Sequence, residues 1–467
     1  MLITTTDRVA VLRALAALAI PTLGACATVD ASAPFGGVRS QVERRTGQVE
    51  WSRSQSPEPS VRAAIGRLLA TPLTPQSAVQ LALFNNRRLQ VQFERLGIAQ
   101  ADLVEAGLLE NPLLSLSLYY GAGTIIEASI VQDVLSLVSL PARKQLGAAQ
   151  AERVAAEVAQ QVLDLAAEVK TQYAVVVGDA QGLQLALQVQ SSTEAGAELA
   201  QRQYAAGNLS QRERDLQQAF YAQSALEVAQ AQAQLAADRE RLNRLLGLWG
   251  AQTQWTIPER LPRVPAALPD LSNVEAAAIA QRLDLQAAKK GAQAALIALN
   301  LTRQFRYLSP LGLGVAFKRE ANGDKLVGPD VELGLPLFNQ GQARIARAEA
   351  DYRRAEDEVE ALAVEIRSQA RAARDRVVAA AQAVAHYERV LLPLQTQIAD
   401  ETLKFYNGML VGTYDLLLAQ QAQVQTARQY VAALKEFWQA WAELEHALGG
   451  PLASDSSQSP APAHSNP

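Results

Sequence analysis

Residues 114–120 read LSLSLYY, and this stretch decides the fold. Leucines alternate with serines, so a β-strand would place the leucines on one face and the serines on the other. Alternating runs recur at 124–132, 311–317 and 331–335. Each predicted strand is about 9–11 residues long, which is the length that a tilted strand needs to cross a bilayer. The pattern predicts four strands. It leaves open whether they cross a membrane or form two soluble hairpins packed on helices.

The composition of the chain favours long helices. Of its 467 residues, 49% are hydrophobic and only 5% are aromatic, and Ala, Gln, Leu, Glu and Arg are abundant. One Cys excludes a disulfide scaffold or a zinc–thiolate site, and three scattered His leave little for a metal site. No cofactor or metal is therefore predicted. The formal net charge of −4 argues against nucleic-acid binding, which needs a basic surface.

Two very long helical stretches dominate the sequence, at about 142–204 and about 342–406. Pro393 is the only proline inside either stretch. At 1.5 Å per residue, each would be about 90–100 Å long. Helices of compact domains rarely exceed about 25 residues, so these stretches indicate an extended architecture. Ala-rich seams would allow close helix packing, and Glu, Gln and Arg would keep the opposite face in water.

The mature chain contains an internal repeat of two similar halves. Each half contains a helical pair (75–109 and 272–306), then a strand region (about 113–132 and about 311–337), and then long helices. Self-similarity at this distance indicates a duplicated structural unit and not a short solenoid repeat. The predicted division is a signal peptide (1–25), an N-terminal segment (26–74), a first repeat (75–249), a linker (250–271), a second repeat (272–449) and a disordered tail (450–467).

The first 25 residues are typical of an export signal, because early arginines accompany an apolar run too short to span a bilayer. The signal ends in LGAC at 23–26, which resembles the bacterial lipobox. Cys26 is therefore predicted to receive a lipid. The resemblance also implies sorting to the outer membrane, because Ala27 and not Asp follows the Cys. The alternative is ordinary cleavage that leaves Cys26 as an incidental thiol.

If the four strands enter a membrane, one chain cannot close the sheet. Lipid tolerates no unpaired strand edge, and small barrels need at least about eight strands. Two chains would make a cramped barrel, whereas three would supply twelve strands and leave room for a pore. In that case the predicted fold is mainly helical, with long antiparallel helical hairpins, an internal two-fold repeat and four strands per chain in a shared transmembrane barrel; the soluble hairpins remain the alternative.

The order of motifs resembles the outer-membrane efflux protein (TolC) family, in its lipoprotein branch. Asn111-Pro112 precedes the first strand, and GLPLFNQG at 334–341 follows the last. GNLS at 207–210 and YNGMLVGTYDLL at 406–417 lie where long helices would reverse direction. The resemblance covers nearly all of residues 75–449.

This resemblance implies a homotrimer with a twelve-stranded barrel in the outer membrane, a helical tunnel across the periplasm and a mixed equatorial belt. It implies that segments 26–74 and 250–271 are equatorial. The implied function is the passive exit duct of a tripartite efflux or secretion system, which exports small molecules or metal ions. An inner-membrane pump would drive export through a periplasmic membrane-fusion adaptor. The implied partners are thus further copies of the chain, the adaptor, the pump and outer-membrane lipid, with no nucleic acid.

The helix reversals are the periplasmic tip in the family, where the adaptor docks. The resemblance implies these candidates for the adaptor contact: Gly207, Leu209, Ser210, Gly408, Val411 and Gly412. Gly207 and Gly408 suit tight reversals, which often need a positive φ. The alternative is that these six are turn residues only, and both interpretations can hold together.

The resemblance also implies a gate near the tip. Asp415 would face the tunnel axis, Tyr406 would hold the place of a gate tyrosine, and Leu418 replaces a second Asp, which suggests a hydrophobic constriction. Val411 replaces a linking Arg, so this position cannot contribute a cation to a salt-bridge latch. Three copies would bring three carboxylates together and attract cations. Glu213 is the equivalent acid of the first half. The alternative for Asp415 is an acid that stabilises a helix N-terminus.

No catalytic motif is present: the sequence has no nucleophile elbow, phosphate loop, zinc-protease motif or dinucleotide fingerprint. We therefore expect no enzyme. The competing function is a lipid-anchored periplasmic coiled-coil protein, structural or adaptor-like, without a pore. The alternating strand regions argue against it, because a coiled coil would not carry them.

Overall fold

The computed structural model describes residues 29–52, 58–121, 123–307 and 311–452. The predicted signal peptide, the lipidation site Cys26 and residues 453–467 of the predicted tail lie outside the described residues. Within the described ranges the chain is mainly helical and contains one β-sheet. The predicted fold class is confirmed at this level.

Both halves of the chain follow the same order of elements. Two short helices come first, α1 (Phe35–Glu43) and α2 (Pro59–Leu69). The first half then contains α3 (Pro75–Asn85), α4 (Arg87–Ala106), β1 (Leu113–Tyr120), β2 (Thr124–Asp133), α5 (Val134–Ala205) and α6 (Gln211–Leu246). The second contains α7 (Val274–Gln281), α8 (Leu283–Gln304), β3 (Leu311–Arg319), β4 (Lys325–Leu333), α9 (Gln342–His386), α10 (Leu392–Asn407) and α11 (Thr413–Leu448).

The four strands form one antiparallel sheet in the order β1-β2-β3-β4. β2 pairs with β3 and joins the hairpins of the two halves, from Ile126 opposite Arg319 to Asp133 opposite Gly312. The alternative of two separate hairpins is therefore wrong. β4 ends at Leu333, two residues before the end of the alternating run that predicted it. β1 and β4 form the two edges of the sheet.

The register gives the sheet two chemically different faces, because cross-strand partners point to the same side. One face is apolar in two neighbouring rows: Leu114, Ile130, Val315 and Pro329, and then Leu116, Ala128, Phe317 and Val327. The opposite face is small or polar in its rows: Ser115, Ser129, Ala316 and Gly328, and then Ser117, Glu127, Lys318 and Leu326. Leu116 is 64% exposed, so a single chain leaves the apolar face uncovered.

The first long helix, α5, begins directly after β2 and not at the predicted residue 142. Asp133 caps it, because its Oδ1 accepts a hydrogen bond from the Leu135 N–H at 2.9 Å. Pro141 therefore lies inside the helix, and Arg143 Nη2 donates to the nearby Ser136 carbonyl at 3.1 Å. With 72 residues, α5 is about 110 Å long.

The second long helical stretch is interrupted where its proline lies. A single π-helical turn, Tyr387–Leu391, separates α9 from α10. Pro393 has no N–H to donate to the preceding turn, and the Leu392 N–H bonds to the Tyr387 carbonyl, five residues back. The bulge is therefore attributable to Pro393, which is the proline that the sequence singled out.

The hydrophobic core lies where the short helices pack against the middle of the long ones. Phe93 of α4 and Phe437 of α11 are completely buried. The Tyr173 hydroxyl of α5 donates to the Leu73 carbonyl at 2.7 Å and ties the segment before α3 to the long helix. Burial raises the pKa of Tyr173 to about 12. Among the described residues, no helix combines the length and the apolar character that a membrane span needs.

Candidate channel gate

The long helices reverse direction at two turns, between α5 and α6 and between α10 and α11. In the first turn Gly207 adopts φ +74°, and the next N–H bonds to the carbonyl five residues back at 2.8 Å. In the second turn Met409 adopts φ +57°, and the next N–H makes the same bond at 2.9 Å. Both turns are therefore Schellman-type helix endings.

The positive φ predicted for Gly207 is confirmed, but the one predicted for Gly408 is wrong. Gly408 has φ −82°, and the following Met409 takes the left-handed conformation. α5 ends at Ala205 and α10 at Asn407, so Met409 and not Gly408 is the counterpart of Gly207. The similar glycines in the two motifs thus do not occupy equivalent positions.

Gly207→Ala should destabilise the first turn by about 1 kcal/mol, because a Cβ in the left-handed region costs roughly that much. No atom lies within 4 Å of the Cβ that would be added, so the cost is conformational. Gly408→Ala is the matched control and should be neutral or slightly stabilising, because its φ is negative. Amide hydrogen exchange at the two turns measures both effects. Equal losses of amide protection in the two variants would contradict the assignment of a positive φ to Gly207 and a negative φ to Gly408.

Glu213 and Asp415 occupy the same position, the third residue of α6 and of α11. The Ser210 hydroxyl donates to Glu213 Oε2 at 2.6 Å and the Ser210 N–H donates to the same oxygen at 3.1 Å. These bonds hold the pKa of Glu213 below its usual range. Asp415 Oδ2 accepts a hydrogen bond from the Gly412 N–H at 2.9 Å. Both acids therefore cap a helix, as the alternative interpretation of Asp415 requires, and capping does not exclude a second role.

Two contacts hold the start of α11 against α5. The Tyr414 hydroxyl donates to Gln203 Oε1 at 3.0 Å. Leu417 Cδ1 lies 2.9 Å from the point that a Cβ on Gly196 would occupy, so the missing side chain makes room for it. Burial, and then the negative charge of Glu213, raise the pKa of Tyr414. The tips of the two repeats are thus in contact.

The predicted gate residues lie near this contact and are exposed in the single chain. Asp415 and Leu418 lie on the exposed part of α11, and Tyr406 is exposed in the last turn of α10. The predicted adaptor residues Gly207, Ser210, Gly408 and Gly412 are exposed, whereas Leu209 and Val411 are half-buried. The structure therefore groups both predicted sets at the end of the helices that lies far from the sheet.

Two residues of the tip were missed from the sequence. Met409 is 93% exposed and Leu410 is 73% exposed, which is unusual for long apolar side chains. The available signal was the comparison of the two turns, since Gly207-Asn208 of the first half is replaced by Met409-Leu410 in the second. In the part of the chain that the structure describes, no group of three or more His, Cys, Asp or Glu could hold a metal ion.

Comparisons with known proteins identify the architecture. No protein-family model matches the chain. The cobalt-zinc-cadmium resistance protein CzcC of Cupriavidus metallidurans is 26% identical over 403 residues, which are 82% of this chain and 91% of CzcC.

Two solved structures share the fold over most of their length. The outer-membrane channel OprN gives a TM-score of 0.66 at 18% identity, over 88% of this chain and 95% of OprN. The outer membrane protein VceC of Vibrio cholerae gives 0.66 at 17% identity, over 83% of this chain and 97% of VceC. The chain therefore has the fold of the outer-membrane efflux channels, and its resemblance to the outer-membrane efflux protein (TolC) family is confirmed.

Proposed function

We propose that the chain forms the outer-membrane exit channel of a tripartite efflux or secretion system. Three copies close a twelve-stranded barrel, and their long helices extend the barrel as a tunnel across the periplasm. Export through the channel is passive. An inner-membrane pump supplies the energy and is connected to the channel by a periplasmic adaptor.

The observation that carries this proposal is the sheet. β1 and β4 are edges, and an edge with unpaired N–H and C=O groups costs several kcal/mol per group in lipid. The apolar face suits lipid and the small and polar face suits a water-filled interior. Pairing of β1 with the β4 edge of another copy satisfies both edges. The 72-residue helix α5 then continues from the barrel without a linker.

The tip residues receive two proposed roles. Asp415, Tyr406 and Leu418, with Glu213 from the first repeat, form the periplasmic gate. Gly207, Leu209, Ser210, Gly408, Val411 and Gly412 form the adaptor contact. The two exposed apolar residues Met409 and Leu410 extend this contact, because an adaptor would cover the apolar surface that they leave in water.

The proposed cargo is small molecules or metal ions. The name of CzcC specifies resistance to cobalt, zinc and cadmium, which favours divalent cations. The exposed carboxylate of Asp415 suits a path for cations. OprN, which shares the fold, is an outer-membrane channel, and we propose no catalytic step for this chain.

A lipid on Cys26 would fix the N-terminus to the outer membrane. Ala31 packs against Gly97 of α4, nine residues before the end of that helix and hence about 13 Å below it. The five residue steps from Cys26 to Ala31 can span up to about 17 Å, so the lipid can reach the level of the sheet. Mass spectrometry of the purified chain should detect the lipid, and Cys26→Ala should abolish the added mass. An unmodified Cys26 would remove the anchor from the proposal.

Reconstitution of the purified full chain into planar bilayers tests the pore. We expect stepwise conductance from a trimer that resists mild detergent and dissociates on boiling. The competing function, a lipid-anchored coiled coil, predicts no conductance and no heat-sensitive trimer. Stable monomers that never conduct would overturn the proposed function.

A further inference from the structure

The junction between the sheet and the helices has an unusual surface. It consists of residues 107–112, 134–144, 305–307 and 334–344, which we call the collar. Gln132 Nε2, near the end of β2, donates to the Glu110 carbonyl of the collar at 2.9 Å. Arg143 Nη1 pairs with the Glu110 carboxylate at 3.3 Å. These bonds hold the collar directly against the end of the sheet.

The collar exposes large apolar side chains. They are Leu108, Leu109, Leu137, Val138, Tyr307, Leu335, Leu337 and Phe338. Phe338 is 94% exposed. Leu137 and Val138 lie in the first turns of α5, directly after β2. Leu335 and Leu337 follow Leu333, the last residue of β4, which lies on the apolar face. Along the chain, the exposed apolar residues of the collar thus directly follow strands of the sheet.

The apolar part of the sheet is shorter than the apolar band of a typical outer-membrane barrel. On β3 and β4 the apolar pairs run from Leu311–Leu333 to Phe317–Val327, and the charged pair Arg319–Lys325 lies beyond them, in a row whose β1 and β2 members are Leu118 and Ile126. Seven residues of strand span about 20 Å, and a tilt of about 40° reduces this to a height of about 16 Å. The apolar band of outer-membrane barrels is about 25 Å tall. The sheet therefore lacks about 9 Å, which the collar can supply.

The collar is also basic, although the whole chain carries a net charge of −4. It contains four basic residues, Arg143, Lys144, Arg306 and Arg344, and one acidic residue, Glu110. Among the described residues Lys144, Arg306 and Arg344 form no ion pair. Arg306 stacks on Tyr307 at 4.2 Å, and its buried Nε has no hydrogen-bond partner. The Arg306 backbone and the Arg344 guanidinium both adjoin Gly341, so the two residues are close together.

We propose that the collar binds phospholipid of the membrane leaflet nearest the helical tunnel. The exposed apolar residues lie among the acyl chains, and Lys144, Arg306 and Arg344 bind headgroup phosphates. This follows the usual pattern in which long basic side chains reach from an apolar surface to the interface. The proposal rests on the proposed function, because it requires the sheet to be in the bilayer. It adds a lipid site that lies outside the barrel strands.

Quenching by lipids with brominated acyl chains tests the apolar part. The five native Trp residues, Trp51, Trp249, Trp255, Trp438 and Trp441, lie outside both the sheet and the collar and set the baseline. Phe338→Trp and Val331→Trp each add one Trp, in the collar and on the apolar face of the sheet. We expect brominated vesicles to quench both added signals to a similar extent. Quenching of Val331→Trp alone would overturn the collar but not the channel, and would indicate that another copy covers Phe338. Quenching of neither would overturn both.

Lipid retention tests the basic part. The number of phosphatidylglycerol molecules that remain bound to the detergent-solubilised trimer can be counted by native mass spectrometry. Lys144→Glu/Arg344→Glu should reduce this number at least about threefold, because it reverses two charges that face phosphate. Arg212→Glu/Arg367→Glu makes the same charge change far from the collar and should leave the number unchanged. Equal retention by both double variants, with normal conductance, would overturn the proposal and leave the channel intact.

Discussion

Val315→Arg should destabilise the membrane-embedded channel by about 2–4 kcal/mol, whereas Ala316→Arg should cost less than about 1 kcal/mol. The two residues are neighbours on β3, but their side chains lie on opposite faces of the sheet. Val315 lies in the apolar row with Leu114, Ile130 and Pro329, so an Arg there would face lipid. Ala316 lies among Ser129 and Gly328, where an Arg would face water inside the barrel.

Urea titration of the protein in lipid vesicles, followed by gel mobility without boiling, measures both variants. The pair is well matched because the added side chain, the strand and the depth are the same. Ala316→Arg also has room, since no atom lies within 4 Å of a Cβ on the neighbouring Gly328. A larger cost for Ala316→Arg would show that the polar face contacts lipid, and equal costs would contradict the assignment of one face to lipid and the other to water.

The strands could be predicted from sequence because a period of two residues is a local signal. The LSLSLYY run lies within β1, the 311–317 run lies within β3, and the 331–335 run begins in β4 and extends two residues beyond its end. The pairing of β2 with β3 could not be predicted in the same way. These strands are separated by the whole of α5 and α6, and no local pattern specifies which distant strand completes a sheet. A resemblance to a known family supplied what the pattern alone left open.

Helix boundaries were predicted less well near proline. The first long helix was predicted to start at about residue 142, but Asp133 caps it at Val134 and Pro141 is its eighth residue. Pro393 did mark an interruption. The two prolines differ in position, since Pro141 is the eighth residue of α5, whereas Pro393 follows α9 and the π-helical turn. The sequence shows where each proline lies, but it does not show whether the helix continues past the proline or is interrupted there.

The two helix reversals were located correctly from sequence, but the equivalence of their residues was not. Matching the motifs by their glycines paired Gly207 with Gly408, whereas matching the helix ends pairs Gly207 with Met409. The same helix ends show that Glu213 is equivalent to Asp415 in position. Hydrogen bonding distinguishes these acids further. Glu213 accepts bonds from both the N–H and the hydroxyl of Ser210, whereas Asp415 accepts one from Gly412.

This difference makes Asp415 the better candidate for attracting ions. One of its oxygens is used by the cap, and among the described residues its carboxylate has no cationic partner. Asp215 lies eight residues after Gly207 of the first turn, and its carboxylate forms an ion pair with Arg214 at 2.6 Å. In a trimer three copies of Asp415 would lie around one axis, and three negative charges at a constriction raise the local concentration of cations.

Asp415→Asn should therefore lower the cation-to-anion permeability ratio of the reconstituted channel about sevenfold. Removal of three charges from a narrow, poorly screened opening removes at least about one kT of potential, and cations and anions respond with opposite sign. The amide oxygen of Asn can still accept the Gly412 N–H, so the helix cap is retained and only the charge is lost. Asp215→Asn is the matched control, and Glu213→Gln should have a smaller effect. Reversal potentials in a salt gradient measure all three variants. An unchanged ratio for Asp415→Asn would remove Asp415 from the gate and leave it as a helix cap.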